Sequence, residues 1–333
     1  MKKTEFSKET VIAVDLGGTN LRVGAVSAKG EVLAVEKIPT LSKEKKEIGL
    51  EQIALGIDSL IQKNSLGRPY ALALGIPGIV EQKTGVVYCS PHFPDWKSVE
   101  ARSYFEKRFS CPVVVDNDAH MIARGEGWKG TGKGLEHFIL VTLGTGIGGA
   151  LVCNRSIFHG DSGFAAEIGH MVIESEGRPC NCGSHGCWEM YASATGLLYG
   201  IEHDKVKNKE RDKLLERFGG LLKVTVARLY ESVQEGDLYA HAVFQKLGYH
   251  LGIGIASLVN ITGIETVILA GGVSRAWDFF VGPMKKETAL RTYKETASRI
   301  QIKQSTLGDE AGLIGGSAAF FQNFQHHRQE DKG

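Results

Sequence analysis

No apolar stretch in the 333 residues approaches the roughly 18–20 that a membrane span requires. The opening MKKTEFSKET carries no apolar core ahead of a cleavage site, so no secretory leader is expected. Net charge is nearly absent: 39 Lys and Arg against 38 Asp and Glu leave +1. The charged runs Lys43–Glu47 and Lys205–Lys213 are mixed in sign and read as solvated helix surface. A nucleic-acid face needs clustered cations to neutralise phosphates, and none is expected here. Cysteine is sparse outside one segment. Cys89, Cys111 and Cys153 are scattered among apolar or small residues, which suits reduced thiols better than a secreted disulfide framework. These absences predict a soluble, cytoplasmic chain without membrane or nucleic-acid partners, long enough for two domains.

What is present concentrates between Glu167 and Glu189, in EIGHMVIESEGRPCNCGSHGCWE. Cys180, Cys182 and Cys187 with His170 make a closed Cys3His ligand set of the kind that holds structural zinc. Four protein ligands leave no open position for an activated water. The loop, rich in Gly177, Gly183, Ser184 and Gly186, has little with which to bury a core of its own, so a metal would tie it down. Small buried thiols are the plainer alternative, but Arg178, Asn181, Ser184 and His185 surround them. His185 is a rival fourth ligand. A zinc deaminase is excluded, since no H-x-E precedes Pro179-Cys180 and no second cysteine follows three positions on.

Glycine is abundant, 42 residues, and bunched beside apolar runs, which predicts backbone turns that approach a ligand closely. Val11–Val14, a turn in DLGGTNLR (Asp15–Arg22) and Val23–Val26 read as strand, Gly turn and returning strand, with a further strand at Glu31–Ile38. Leu50–Gln62 has helical spacing, Tyr70–Ile76 is a buried strand leading into Pro77–Val80, Val99–Phe109 a helix, Val113–Val115 a strand and Ala119–Trp128 a helix. The pattern then restarts: Phe138–Val141, TLGTGIGG (Thr142–Gly149) and Ala150–Val152 repeat the strand–Gly–strand layout, so an internal duplication is expected. Lys213–Glu231 and Leu238–Leu258 read as helices, Thr266–Ala270 as a strand ending in Gly271-Gly272, and Ala311–Phe320 as a closing small-residue helix.

Asp15 with Gly17-Gly18-Thr19 sets a carboxylate beside a row of backbone N–H groups, which suits a magnesium-bound phosphate chain. An empty Gly turn is the alternative for that segment alone. The second turn, Gly144-Thr145-Gly146, favours a nucleotide held from two sides, as phosphoryl transfer requires. Gly144, Gly146 and Gly149 match G-x-G-x-x-G, but a strand follows where a dinucleotide site needs a helix. Gly127, Gly132 and Lys133 miss a P-loop because Gly134 stands where Ser or Thr is required. Asn117-Asp118 at a strand tip is the best general-base candidate, with helix capping as the plain reading and Asp116 as a competitor. Glu167, His170 and Glu189 around the metal loop would recognise several hydroxyls at once, and sugars offer them; solvated glutamates are the alternative. A glycosidase pair of carboxylates fits less well, since hydrolysis needs no nucleotide.

These segments resemble the ROK family of sugar kinases and repressors, most closely its glucokinase branch. DLGGTN at 15–20, GIPG at 75–78, DNDA at 116–119, TLGTGIGG at 142–149, EIGH at 167–170, CNCGSHGCWE at 180–189 and LAGGV at 269–273 carry the resemblance over nearly the whole chain. It implies an α/β, two-lobed actin-like ATPase (ribonuclease H-like) fold with a cleft between lobes: residues 1–118 plus 305–325 as one lobe with the last helix packing back, 119–304 as the other with the zinc loop, and a frayed tail over 326–333. It implies ATP and Mg2+, with Asp15, Gly17, Gly18, Thr19, Asn20, Gly144, Thr145, Gly146, Gly271 and Gly272 at the nucleotide and Zn2+ held structurally by His170, Cys180, Cys182 and Cys187. Asp118 is then the base, with Gly78, Asn117, Glu167, His170 and Glu189 at the sugar. A homodimer is expected. The acceptor expected is a hexose, glucose first, with fructose, mannose, N-acetylglucosamine or N-acetylmannosamine as alternatives. Two departures bear on substrate choice: His92-Phe93-Pro94-Asp95-Trp96 stands where an Asn-Leu-Pro-Gly-Trp type run is commoner, and His120 replaces a commoner Asn. Family repressors place a helix-turn-helix domain before this body; with the first strand near Val11 none is expected, and the kinase reading is preferred to a regulator.

Overall fold

Buried apolar residues set the first sheet. In the computed structural model, which describes residues 9–204 and 209–330 with side chains as far as residue 321, β1 (Thr10–Leu16) turns back as β2 (Asn20–Ser27) and β3 (Val32–Pro39). After α1 (Lys46–Lys63) comes β4 (Ala71–Ile76), then a small antiparallel sheet of β5 (Ile79–Glu81), β6 (Val86–Cys89) and β7 (Lys97–Glu100). Next are α2 (Ala101–Phe109), β8 (Val113–Asn117) and α3 (Asp118–Lys129). The sheet order is β3-β2-β1-β4-β8, with β1 antiparallel to β2 and parallel to β4, and β4 parallel to β8. Ile12, Val14 and Leu16 point into the larger core with Ile53, Ile57 and Trp96. Val11 and Ala13 face the other way, as strand alternation requires.

A second sheet repeats that order as β11-β10-β9-β12-β13. Its strands are β9 (Phe138–Leu143), β10 (Ile147–Cys153), β11 (Ser156–Ile157), β12 (Thr266–Ala270) and β13 (Gln301–Gln304). Between β11 and β12 lie α4 (Glu189–Ala192), α5 (Ala194–Glu202), α6 (Lys209–Phe218), α7 (Val226–Gln234) and α8 (Leu238–Thr262). The chain ends through α9 (Trp277–Arg291), α10 (Lys294–Ala297) and α11 (Ala311–Glu330). The two sheets thus share one topology, in line with an internal duplication. Asp237 caps α8 by accepting from Ala240 N at 2.9 Å, and Gly263 ends it in the left-handed conformation (φ 68°).

Contacts divide the chain into one unit of residues up to Glu136, Ala150–Ala165 and Ser305 onward, and a second of His137–Gly149 and Ala166–Gln304. The first border falls elsewhere than the expected 118/119, because α3 packs along α11. Glycines make that crossing close: a Cβ on Gly125 would overlap the Ala311 carbonyl oxygen, and one on Gly315 that of Met121. α11 also lies over Ala13 and Ala73, each 3.0 Å from where a Cβ on Gly316 would stand.

Three local expectations are corrected. The helix expected over Lys213–Glu231 is broken at Gly219-Gly220, both at positive φ, leaving α6 and α7. Val99 belongs to β7, and α2 starts at Ala101. α11 continues to Glu330, through most of the expected frayed tail; residues 331–333 lie outside the described residues, as do residues 1–8 and residues 205–208 of the second charged run. Among the described residues no helix is long and apolar enough to cross a membrane.

Candidate functional site

In the first unit, the hairpin from β1 to β2 closes with Gly17 N donating to Asn20 O at 2.9 Å. Thr40 braces the turn from β3: its hydroxyl donates to Gly17 O at 2.8 Å and its backbone N to Thr19 O at 3.0 Å. A Cβ on Gly18 would stand 2.9 Å from the His92 ring, so that glycine is needed for close approach. Asp15 and Arg22 are directly opposed across the hairpin, and Arg22 Nη1 donates to Asp15 Oδ2 at 3.0 Å. Burial raises the Asp15 carboxyl above its ordinary range, with Arg22 opposing and Asp309 adding to the rise. The sequence reading missed Arg22; hairpin register was the signal that pairs it with Asp15.

The tip of β8 carries Asp116, Asn117 and Asp118 side by side but in different roles. Asn117 is the N-cap of α3: its Oδ1 accepts from Ala119 N at 2.8 Å and His120 N at 3.3 Å, while its Nδ2 donates to Gly78 O at 2.9 Å. The capping alternative therefore falls on Asn117. Gly78 sits at φ 112°, and a Cβ there would overlap the Cys89 carbonyl oxygen, so only glycine offers its carbonyl at that point. Asp118 is the first residue of α3, half-buried, and accepts from Ala119 N at 2.9 Å. Asp116 is 0 % exposed. Burial alone would raise its carboxyl, but hydrogen bonds from His120 and His159 and the charges of His120 and Arg124 hold it well below the ordinary range. Enclosed in this way, Asp116 presents no exposed surface, whereas Asp118 does.

In the second unit, β9 and β12 run parallel with Thr142 beside Ala270, so both Gly segments emerge at the same strand ends. A Cβ on Gly271, at φ 91°, would stand 2.5 Å from Leu143 O. Gly272 opens a 3-10 turn, and neither it nor Gly144 has anything within 4 Å of a would-be Cβ. Neither glycine is therefore crowded on its Cβ side. The turn closes with Gly144 N donating to Gly146 O at 3.0 Å, and α5 abuts it through Ala194 N to Gly144 O at 3.0 Å and Thr195 N to Thr145 O at 3.2 Å.

Glu189 joins this turn to the metal loop. Its Oε2 accepts from Ile147 N at 3.4 Å, and its Oε1 accepts from Cys180 Sγ at 3.3 Å and lies 3.7 Å from His170 Nδ1. The ligand atoms of His170, Cys180, Cys182 and Cys187 all lie within 4.8 Å of one another. Cys180 Sγ is 3.7 Å from His170 Nδ1, and Cys182 Sγ is 3.6 Å from Cys187 Sγ. Tetrahedral zinc with its usual bond lengths has edges of about 3.6–3.8 Å, so this donor set fits the metal. His185 is not in that group. Burial pushes the Cys180 and Cys187 thiols up; at Cys182 burial is outweighed by hydrogen bonds from Ser184, Cys180 and Cys187, which lower it. Glu167 is exposed and heads the 3-10 turn Ile168–His170, with His170 N donating to its carbonyl at 3.1 Å.

Arg178, noted in the sequence only as a polar neighbour of the cysteines, anchors the loop to the protein. Its Nη1 donates to Met190 O (2.6 Å) and Gly196 O (2.8 Å), and its guanidinium lies 4.5 Å from the Tyr191 ring centre. No sequence pattern marks it, because its partners are carbonyls set by the fold.

Comparison with known proteins agrees with this arrangement. A sequence model described as "ROK family" matches residues 11–323. A glucokinase of Halalkalibacterium halodurans is 34 % identical over 316 residues, covering 93 % of this chain and 94 % of that protein. A glucokinase of Thermotoga maritima is 33 % identical over 311 residues, with coverage of 93 % and 97 %. The crystal structure of a ROK family glucokinase from Streptomyces griseus in complex with glucose and AMPPNP superposes with a TM-score of 0.83 at 30 % identity, over 93 % of this chain and 98 % of that one. The fold is the actin-like ATPase type shared with this structural relative. On that match, the duplicated strand–Gly–strand units and the gathered thiols, the chain belongs to the ROK family.

Proposed function

We propose that the chain catalyses ATP-dependent phosphorylation of a hexose, glucose foremost, to the hexose 6-phosphate. The observation that carries this is its likeness, over 93 % of its length, to the Streptomyces griseus glucokinase whose structure contains glucose and AMPPNP. Asp118 takes the proton from the sugar C6 hydroxyl as that oxygen attacks the γ-phosphorus, and the bond to the β-bridging oxygen breaks to release ADP. Backbone N–H groups of the two Gly turns, other than those of Gly17 and Gly144 that close the turns, take the growing negative charge, with Gly271 and Gly272 against the nucleoside. Asp15 would hold the magnesium that accompanies ATP; the ion supplies charge neutralisation at the phosphates.

Asn117, already committed to its cap and to Gly78, contributes mainly by fixing the site; Gly78, Glu167, His170 and Glu189 hold the remaining hydroxyls. His170 turns Nδ1 toward Cys180 and Glu189, which leaves Nε2 for a sugar hydroxyl. Zinc held by His170, Cys180, Cys182 and Cys187 would supply shape to the loop and take no part in bond making. A coupled ADP-release assay over glucose, mannose, fructose, N-acetylglucosamine and N-acetylmannosamine tests the reading. Glucose turns over fastest if it is right; ATP binding with no turnover of any hexose would overturn it.

A further inference from the structure

Two residues before the proposed base, the buried carboxylate of Asp116 is saturated with donors from three segments. Its Oδ1 accepts from Asn117 N at 2.8 Å and faces His120 Nδ1 at 2.8 Å. Its Oδ2 accepts from Arg124 Nη2 at 3.1 Å and faces His159 Nε2 at 3.0 Å. A carboxylate only accepts, so each ring nitrogen facing it carries its proton. His120 and Arg124 stand one turn apart on α3, so one carboxylate pins the first two turns of the helix that begins at Asp118. His159 arrives from the segment after β11, 43 residues along the chain, and its ring meets that of His120 edge-on with centres 5.0 Å apart.

Stability alone does not account for such a cluster. Removing an aspartate, two imidazoles and a guanidinium from water is costly, and apolar residues of equal volume often stabilise as well or better. What a fully satisfied buried network confers is one geometry, because each carboxylate oxygen has its donors in set directions. Here that geometry belongs to the β8–α3 junction, where Asn117 meets Gly78 and Asp118 begins the helix. A metal is the other use of these side chains, whose ligand atoms lie within 4.8 Å of one another. Arg124 argues against it: a cation placed on Asp116 would face an adjacent guanidinium in a poorly solvated site.

We infer that Asp116, His120 and His159 are positioning residues for phosphoryl transfer, holding Asp118 where it meets the sugar hydroxyl. The inference rests on the hexose kinase reading. It is tested with H120A and H159A beside the amide variants H120N and H159Q, whose Nδ2 and Nε2 can donate where the imidazoles do. Steady-state kcat and hexose KM, melting temperature and metal content are measured for each. Both alanine variants are expected to stay folded, lose about tenfold or more in kcat and keep hexose KM within about threefold, with both amide variants returning kcat to within about threefold of the wild type. A folded alanine variant with wild-type kcat, or a second bound transition metal lost from the alanine variants, overturns the inference. Should an alanine variant fail to fold, its amide counterpart decides: kcat within about threefold supports the inference, and a tenfold loss in a folded sample overturns it. Failure of the kinase reading itself shows first in the wild type, as no turnover of any hexose, and takes the inference with it.

Discussion

Gly125→Ala sets a gain in local helix stability against a clash at the crossing of α3 and α11. An alanine in a helix interior is favoured over glycine by about 1 kcal/mol. Against that, the new Cβ would overlap the Ala311 carbonyl oxygen and stand 3.0 Å from its carbon and 3.1 Å from Gly315 N, where unstrained carbon contacts lie at about 3.5–4.0 Å. All three atoms are backbone, so no side chain can rotate away; the helices must separate by on the order of 1 Å. Overpacking costs about 1–3 kcal/mol and sometimes more, and with nothing able to yield the upper end applies. The net expectation is a loss of about 2 kcal/mol, or a melting temperature lower by about 4–8 °C for a unit of roughly 150–250 residues. Since α3 begins at Asp118, kcat should fall several-fold with it. Scanning calorimetry reads the first and the ADP-release assay the second. Gly315→Ala pushes on the same gap, with its Cβ 2.9 Å from Gly125 N, so the double variant should lose clearly less than the sum of the singles. A raised melting temperature for G125A, or strictly additive losses in the pair, would refute the reasoning.

Asp118→Asn should lower kcat by roughly 10²–10⁴ while hexose binding persists; turnover at the wild-type rate would remove Asp118 from its role. Cys182→Ser should yield protein lacking the zinc proposed at the Cys3His set, measured by atomic absorption, with a raised hexose KM and faster proteolysis within Val172–Cys187. Structural zinc contributes about 10–16 kcal/mol against about 5–15 for a whole domain, so unchanged sugar affinity in a zinc-free sample would contradict the assigned role. His250 is 7 % exposed with neither ring nitrogen hydrogen-bonded, and burial, then Lys246 and Arg178, push its pKa down to about 4. The unfolded chain binds that proton from pH 6.5 downward and the folded one does not, so stability is full above about pH 6.5 and falls by about 3 kcal/mol as pH drops toward 4. His250→Gln should flatten the dependence of melting temperature on pH across this window; an identical slope in both proteins would show that His250 does not set it.

Chemistry carried by short spacings is legible in the sequence itself. The Gly turns at 15–20 and 142–149, the thiols at 180, 182 and 187, and a carboxylate at the tip of a buried strand are local features, because turn chemistry, ligand spacing and strand alternation act over a few residues. The repeated strand–Gly–strand layout was legible on the same grounds. The breaks at Gly219-Gly220 and Val99 were not, since helix ends depend on a few tenths of a kcal/mol per residue that tertiary packing overrides.

Only the tertiary structure told three neighbouring residues apart. Asp116, Asn117 and Asp118 look alike in sequence, yet one is enclosed by donors, one caps a helix and one is left partly exposed. Partners remote in the chain decide this: His159 for Asp116, Gly78 for Asn117. In the same way Glu189 meets both Ile147 and the metal loop, and α3 meets α11 through glycines that no periodicity pairs. Sequence spacing determines which groups a strand or turn can present. Which of them stays available for chemistry depends on desolvation and hydrogen bonding by residues that arrive only when the chain has packed.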